Sequence, residues 1–145
     1  MSIPVTVETT VDLKWPVSFE TFKDVRYDAL SYENLGMEIK LRSDTSCWVE
    51  LGGMTTEVRV YADNDVMVRR VDIEIRTNAD NELKALAAAT AMLGVLAKVY
   101  NALARRIQLK EMNEVRVNAG IHFEGNYYEA VWVVGNSILK LLSHA

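Results

Sequence analysis

The stretch DNELKALAAATAMLGVLAKVYNALARRIQLKEM, residues 80–112, decides the fold. It has no proline, a single glycine at Gly94, and apolar residues that recur at helical spacing. Asp80 and Glu82 suit the positive end of a helix macrodipole, and Arg105, Arg106 and Lys110 its negative end. One helix is therefore expected from Asp80 or Asn81 to the neighbourhood of Met112. At about 100° per residue, Leu86, Leu93, Tyr100 and Ile107 form one seam. Ala89, Leu96 and Leu103 lie to one side of it, with Ala85, Met92 and Val99 beyond, then Ala88, Val95, Ala102 and Leu109. Thr90, Ala97 and Ala104 flank the other side. The apolar arc is roughly 200°, twice the stripe of about 100° that covers one sheet face. Only Lys84, Lys98 and Arg105, beside Asn101 and Gln108, form a polar stripe.

Such a helix is expected to touch two bodies. Its length points the same way: it would run roughly 45 Å in a domain whose diameter is on the order of 38 Å. The small residues Ala85, Ala87, Ala88, Ala89, Ala91 and Gly94 would let another backbone approach closely. The second body is either the chain's own first and last helices, a second copy of the chain, or an apolar ligand. For a second copy, with a dimer favoured, the expected interface is Leu86, Met92, Leu93, Leu96, Val99, Tyr100 and Leu103, joined by Trp132.

Before this helix the pattern changes to period two. Val5, Val7, Val11 and Leu13 share one face of a strand from Ile3 to Lys14, opposite Thr6, Glu8, Thr10, Asp12 and Lys14. Pro16 ends it, and Ser18 is an N-cap for a short amphipathic helix through Phe19, Phe22, Val25, Ala29 and Leu30, stopping before Gly36. Four alternating segments follow: Met37 to Arg42, Cys47 to Leu51, Val58 to Ala62 and Val66 to Thr77. Gly52-Gly53 and Asp63-Asn64-Asp65 supply turns. In the last segment Val66 and Val68 are out of phase with Val71, Ile73 and Ile75, so a bulge at Arg69-Arg70 is expected.

Beyond the long helix, Val115, Val117, Ala119, Ile121 and Phe123 alternate with polar residues and glycine. Gly125-Asn126 makes a hairpin turn into Tyr127 to Val134, whose two phases are both apolar. Such a strand is central under two layers or part of an interface, and Trp48 likewise falls on an outward phase. Asn136-Ser137 is expected to cap a final short helix through Ile138, Leu139, Leu141 and Leu142. The expected class is α+β in one domain, 1–145: a mostly antiparallel sheet of about six to seven strands on one long central helix, with two short helices.

With 145 residues, half of them hydrophobic, the chain is long enough for a real core, and a quarter charged residues exclude a disordered one. The single cysteine, Cys47, cannot form an internal disulfide, and no N-x-[ST] sequon occurs; a reducing, cytoplasmic setting is expected. The N-terminus lacks a signal-peptide pattern. The uncharged run from Ala85 to Ala97 is short of the roughly 17–25 residues that span a bilayer. A net charge of −4 weighs against nucleic acid as main partner.

Chemistry-bearing residues are few. His122 and Glu124 sit two apart on one strand face, a pair able to share a proton in acid–base work, though surface decoration is the commoner role. Cys47 falls in the inward phase, as a small apolar core residue. Asp63-Asn64-Asp65 fails as a calcium loop, because Met67 and Val68 stand where an oxygen ligand and a glycine are needed. No spacing suggests a metal or a cofactor. Acids and bases alternate on the outward strand face, which gives little net field; Arg69, Arg70, Arg105 and Arg106 are the places to seek nucleic-acid contacts.

The order strand, helix, antiparallel meander, long helix resembles the helix-grip (START-like) lipid-binding fold. That resemblance implies a sheet wrapped on the long helix around an apolar cavity; a binder of small apolar ligands would have its cavity beside Leu93 and Leu96. The chain departs from it by continuing past the long helix, and no site residue carries over. The leading expectation is a non-enzymatic, self-associating interaction module. The alternatives are a binder of small apolar ligands, a nucleic-acid-binding protein, or an enzyme using His122 and Glu124.

Overall fold

The computed structural model describes residues 2–110, 116–123, 125–133 and 138–143. Strand β1, Ile3–Ser18, buries Ile3, Val5, Val7, Thr9, Val11 and Leu13, the face that the alternation selects. It pairs antiparallel with β5, Met67–Ala79, from Ile3↔Ala79 to Asp12↔Arg70. Pro16 does not end the strand. Residues 13–16 bulge away from β5, and Val17↔Val68 resumes the ladder, so the missing proline N–H costs no pairing. In the bulge Leu13 bridges Leu109, and the Lys14 N–H donates to the Gln108 carbonyl at 2.8 Å.

Ser18 then caps α1, Phe19–Ala29, its Oγ accepting from the Thr21 N–H at 3.1 Å. A one-turn helix that the periodicity did not announce, α2 (Tyr32–Leu35), follows and ends at Gly36, with φ of 69°. Next come β2 (Ile39–Arg42), β3 (Ser46–Leu51) and β4 (Met54–Ala62), which continues the meander into β5. Leu51↔Met54 closes the tight turn at Gly52-Gly53.

The bulge expected in β5 is present. Arg69 and Arg70 are both exposed, while Val68, Val71, Ile73 and Ile75 are all fully buried. Opposite them, Asp63 Oδ1 accepts from both N–H groups, at 3.0 and 3.1 Å. The N–H of Arg69 first, then that of Arg70, holds the Asp63 carboxyl below its ordinary pKa. Asn64 Oδ1 takes the Val66 and Met67 N–H groups in the same turn. These carboxylate and amide oxygens cap backbone.

Helix α3, Glu82–Ala104, starts at Asn81, whose side chain accepts from the Lys84 N–H at 2.9 Å. It stops a full two turns before Met112. After Ala104 the chain turns, and Ile107 and Leu109 are buried outside the helix, Leu109 against Leu13. The long-helix expectation counted them as helical because their spacing continued the seam. By length and composition α3 would also qualify as a membrane-crossing helix, but eleven of its residues are buried in this domain.

The wide apolar arc is largely covered within the subunit. Its broadest part lies on β1 and β5, and α1 and α2 cover the flank beside Lys98. There Lys98 Nζ donates to the Leu35 carbonyl at 3.1 Å, Asn34 Nδ2 to the Lys98 carbonyl at 3.3 Å, and Arg105 to Asn34 Oδ1 at 3.1 Å. Met92, Leu93, Leu96, Val99, Tyr100 and Leu103 are therefore core residues and not an intersubunit surface. Of the α3 residues expected at an interface, only Leu86 is exposed, at 49%.

After α3 come β6 (Arg116–Phe123), β7 (Asn126–Val133) and β8 (Ile138–Ser143). The last of these replaces the expected C-terminal helix. The run Ile138-Leu139-Lys140-Leu141-Leu142 satisfies both periods, and the backbone of β7 takes it as a strand, from Val133↔Ile138 to Tyr128↔Ser143. The hairpin before it closes at Phe123↔Asn126, one residue earlier than a Gly125-Asn126 turn implies.

The result is α+β: one eight-stranded antiparallel sheet in the order β2-β3-β4-β5-β1-β6-β7-β8, with all three helices on one face. Among the described residues the sheet does not close around α3, so the helix-grip likeness ends at element order. The helices' main contacts are with β1, β3, β4, β5 and the near side of β6.

Candidate functional site

His122 lies on the polar face of β6, but its partner is not the residue two places on. Its Nε2 is hydrogen-bonded to Glu8 Oε1 at 2.9 Å, across the β1–β6 ladder, and its ring sits 4.8 Å from that of Tyr127. Glu124 falls outside the described residues. Both His122 and Glu8 are half open to water, and no nucleophile hydroxyl or thiol joins them in the described hydrogen bonds. The arrangement is a diagonal cross-strand pair that ties two strands.

Cys47 is fully buried under the helices, and burial pushes its thiol up to about 11, against the opposing charge of Arg42. It is a protonated core residue at neutral pH. Among the described residues no group of three His, Cys, Asp or Glu side chains is arranged to hold a metal.

The four arginines singled out for nucleic acid are dispersed. Arg70 Nε pairs with Asp12 at 3.0 Å, Arg106 with Asp28, and Arg105 with Asn34. Arg69 is exposed at the bulge. The open sheet face between them is self-neutralising: Arg76 meets Glu57 and Glu74 at 3.0 Å each, and Arg59 meets Glu57 at 3.9 Å. Phosphate binding needs a like-signed field that this face lacks.

Two open clefts lie among the described residues. One, of about 460 Å³ on the bare sheet face, is bounded by Trp48, Thr6, Glu57, Arg76 and Asn78. The other, of about 690 Å³, lies between α1 and the β2–β3 turn. Its floor includes Arg26, only 5% exposed, over the Phe22 and Phe19 rings, with Nη1 donating to the Val60 carbonyl at 3.3 Å. Burial lowers the Arg26 pKa, and the charge of Asp44 opposes that. On its wall Arg42 stacks on Tyr27 at 3.9 Å and donates to the Tyr27 carbonyl. Sequence reasoning missed Arg26, although its place four residues after Phe22, in the buried row with Val25 and Ala29, was the signal. Lys23, Arg26 and Arg42 face Asp24 and Asp44 here, so this cleft is a mixed-charge joint holding α1 to the sheet. Neither cleft lies beside Leu93 and Leu96, which are core.

Some large apolar residues are also exposed. Leu83, 78% exposed, and Leu86 stand on the first turns of α3. Ile121 of β6 is buried and Tyr128 half-buried. The positions in register with this phase are Ala119, Ala130 and Leu141, then Val117, Trp132 and Leu139. The phase that continues Ile121 across β7 and β8 is thus apolar in sequence. No family model, curated protein or solved structure matches this chain.

Proposed function

We propose that this chain is a non-enzymatic interaction module that self-associates through the β6–β8 end of its sheet. The observation that carries this reading is the end of the sheet: among the described residues β8 is the outermost strand, with one charge and unbroken register, and the ladder positions Ala130, Trp132, Leu139 and Leu141 continue in sequence the apolar phase of Ile121. The core expectation for α3 is thereby reduced to its one exposed flank, and the weight of the reading moves from the helix to the sheet.

The other readings have less support. His122 and Glu8 form a solvated strand tie, the four arginines are dispersed, two of them in ion pairs, and both clefts are mixed in charge. A buried, protonated Cys47 accords with a cytoplasmic setting. Sedimentation velocity of the full chain over the micromolar range tests the reading. A sedimentation coefficient that rises with concentration toward that of a dimer is expected. A monomer at every concentration overturns it.

A further inference from the structure

Resting on that self-association reading, we infer that the partner is a second copy of this chain, paired antiparallel along strand β8 with Leu141 on the two-fold axis. An open sheet has two edges, and here they differ. At one edge β2 is four residues long, carries Lys40 and Arg42, and has a register break between Ile39 and Leu41. Arg42 also bonds back to α1 at Tyr27, so that edge is charged, short and irregular, as edges protected from pairing are. At the other edge β8 is six residues long, has one charge, Lys140, and keeps unbroken register with β7. Among the described residues no strand pairs with its outer edge, whose backbone groups are a template for another strand.

Symmetry limits what can add there. A two-fold axis that sets two identical strands side by side must stand normal to the sheet, and it returns each face to itself. Because residues alternate between faces, a residue must then meet one of its own phase, so one residue sits on the axis opposite its own copy. Only Lys140 or Leu141 on the axis lets five residues of β8 overlap. Lys140 on the axis sets two ammonium groups directly opposite, which destabilises a strand pair. Leu141 on the axis pairs Lys140 with Leu142 and Leu139 with Ser143, with no like charges opposed. The apolar phase of Leu139 and Leu141 then continues from one copy into the other, with both helix layers on the same side of a joined sheet. Five paired residues bury less than the roughly 800 Å² per partner of a standard stable interface. The dimer is therefore reversible and concentration-dependent.

Directly opposed residues of an antiparallel pair have Cα atoms about 4.5–5.5 Å apart, within disulfide reach. Cys47 is buried and leaves the background free of accessible thiol among the described residues. The test is mild oxidation of the full-length Leu141→Cys and Lys140→Cys chains, followed by non-reducing electrophoresis. Leu141→Cys is expected to cross-link to dimer at least tenfold more than Lys140→Cys. A second measurement covers the case in which Leu141→Cys folds poorly: Leu139→Cys chains mixed with Ser143→Cys chains are expected to give the mixed dimer, and neither alone a comparable one. Preferential cross-linking of Lys140→Cys overturns the register. Absence of cross-linking in chains that still sediment as dimers overturns the β8 edge and leaves self-association standing. A chain that is monomeric throughout overturns both.

Discussion

Glu8 on β1 and His122 on β6 are hydrogen-bonded at 2.9 Å, diagonal to each other across the ladder that, among the described residues, joins β6–β8 to the rest of the sheet. That ladder runs only from Val5↔Phe123 to Glu8↔Gly120, whereas β1 and β5 pair along most of their length. Because both side chains are half exposed, His122→Ala is expected to cost about 0.5 kcal/mol. Its effect should be local: amide exchange should quicken in β6 to β8 while β4 and β5 keep their protection. Equal loss of protection across all eight strands would show that the seam is not a weak join.

Asp63 accepts two backbone N–H groups at the β5 bulge, so Asp63→Ala is expected to cost about 1 kcal/mol at neutral pH, comparable to losing a helix cap. The sign with pH follows from the lowered pKa. A carboxyl held below its ordinary value of 3.8 stabilises the fold above that value, and the contribution fades as pH falls through the folded-state pKa. Urea unfolding of both chains should therefore show a gap at neutral pH that narrows in acid. A gap that widens in acid contradicts the capping role.

Cys47 is fully buried, with its thiol pushed up to about 11. Iodoacetamide should leave it unmodified in the native protein at neutral and mildly alkaline pH, and label it fully in denaturant. Rapid labelling of the native chain would place the thiol at the surface.

Within α3 two leucines separate core from surface. Leu96 is fully buried, and Leu96→Ala is expected to cost about 3 kcal/mol. Leu86 is half exposed, and Leu86→Ala should change stability by less than about 1 kcal/mol. Chemical unfolding at a concentration where the chain is monomeric gives both values. Similar losses at the two positions would mean that α3 is seated differently.

Alternation made most of the sheet readable, because a half-buried strand writes its two faces into sequence: Val5, Val7 and Val11 against Glu8, Thr10 and Asp12. The phase slip between Val68 and Val71 even located the bulge. Legibility failed where one sequence satisfies two periods. Ile138 to Leu142 reads as helix or strand, and only the neighbouring β7 backbone decides. Ile107 and Leu109 kept the helical seam but are buried by a turn and a bridge to Leu13. Residues far apart in sequence were beyond periodicity altogether. His122 was matched with the nearby Glu124, whereas strand order brings Glu8 to it, and β1 lies between β5 and β6 for reasons no local pattern carries. The wide apolar arc of α3 was real, but α2, too short to show a period, joins α1 in covering part of it.

The central claim is that the β8 end of the sheet is finished by another copy of the chain. Hydrogen exchange of the wild-type protein, followed at several concentrations across the micromolar range, addresses it most directly. The amides of Ile138–Ser143 should gain protection as concentration rises, while those of β4 and β5 stay constant. Protection in β8 that does not change with concentration would contradict it.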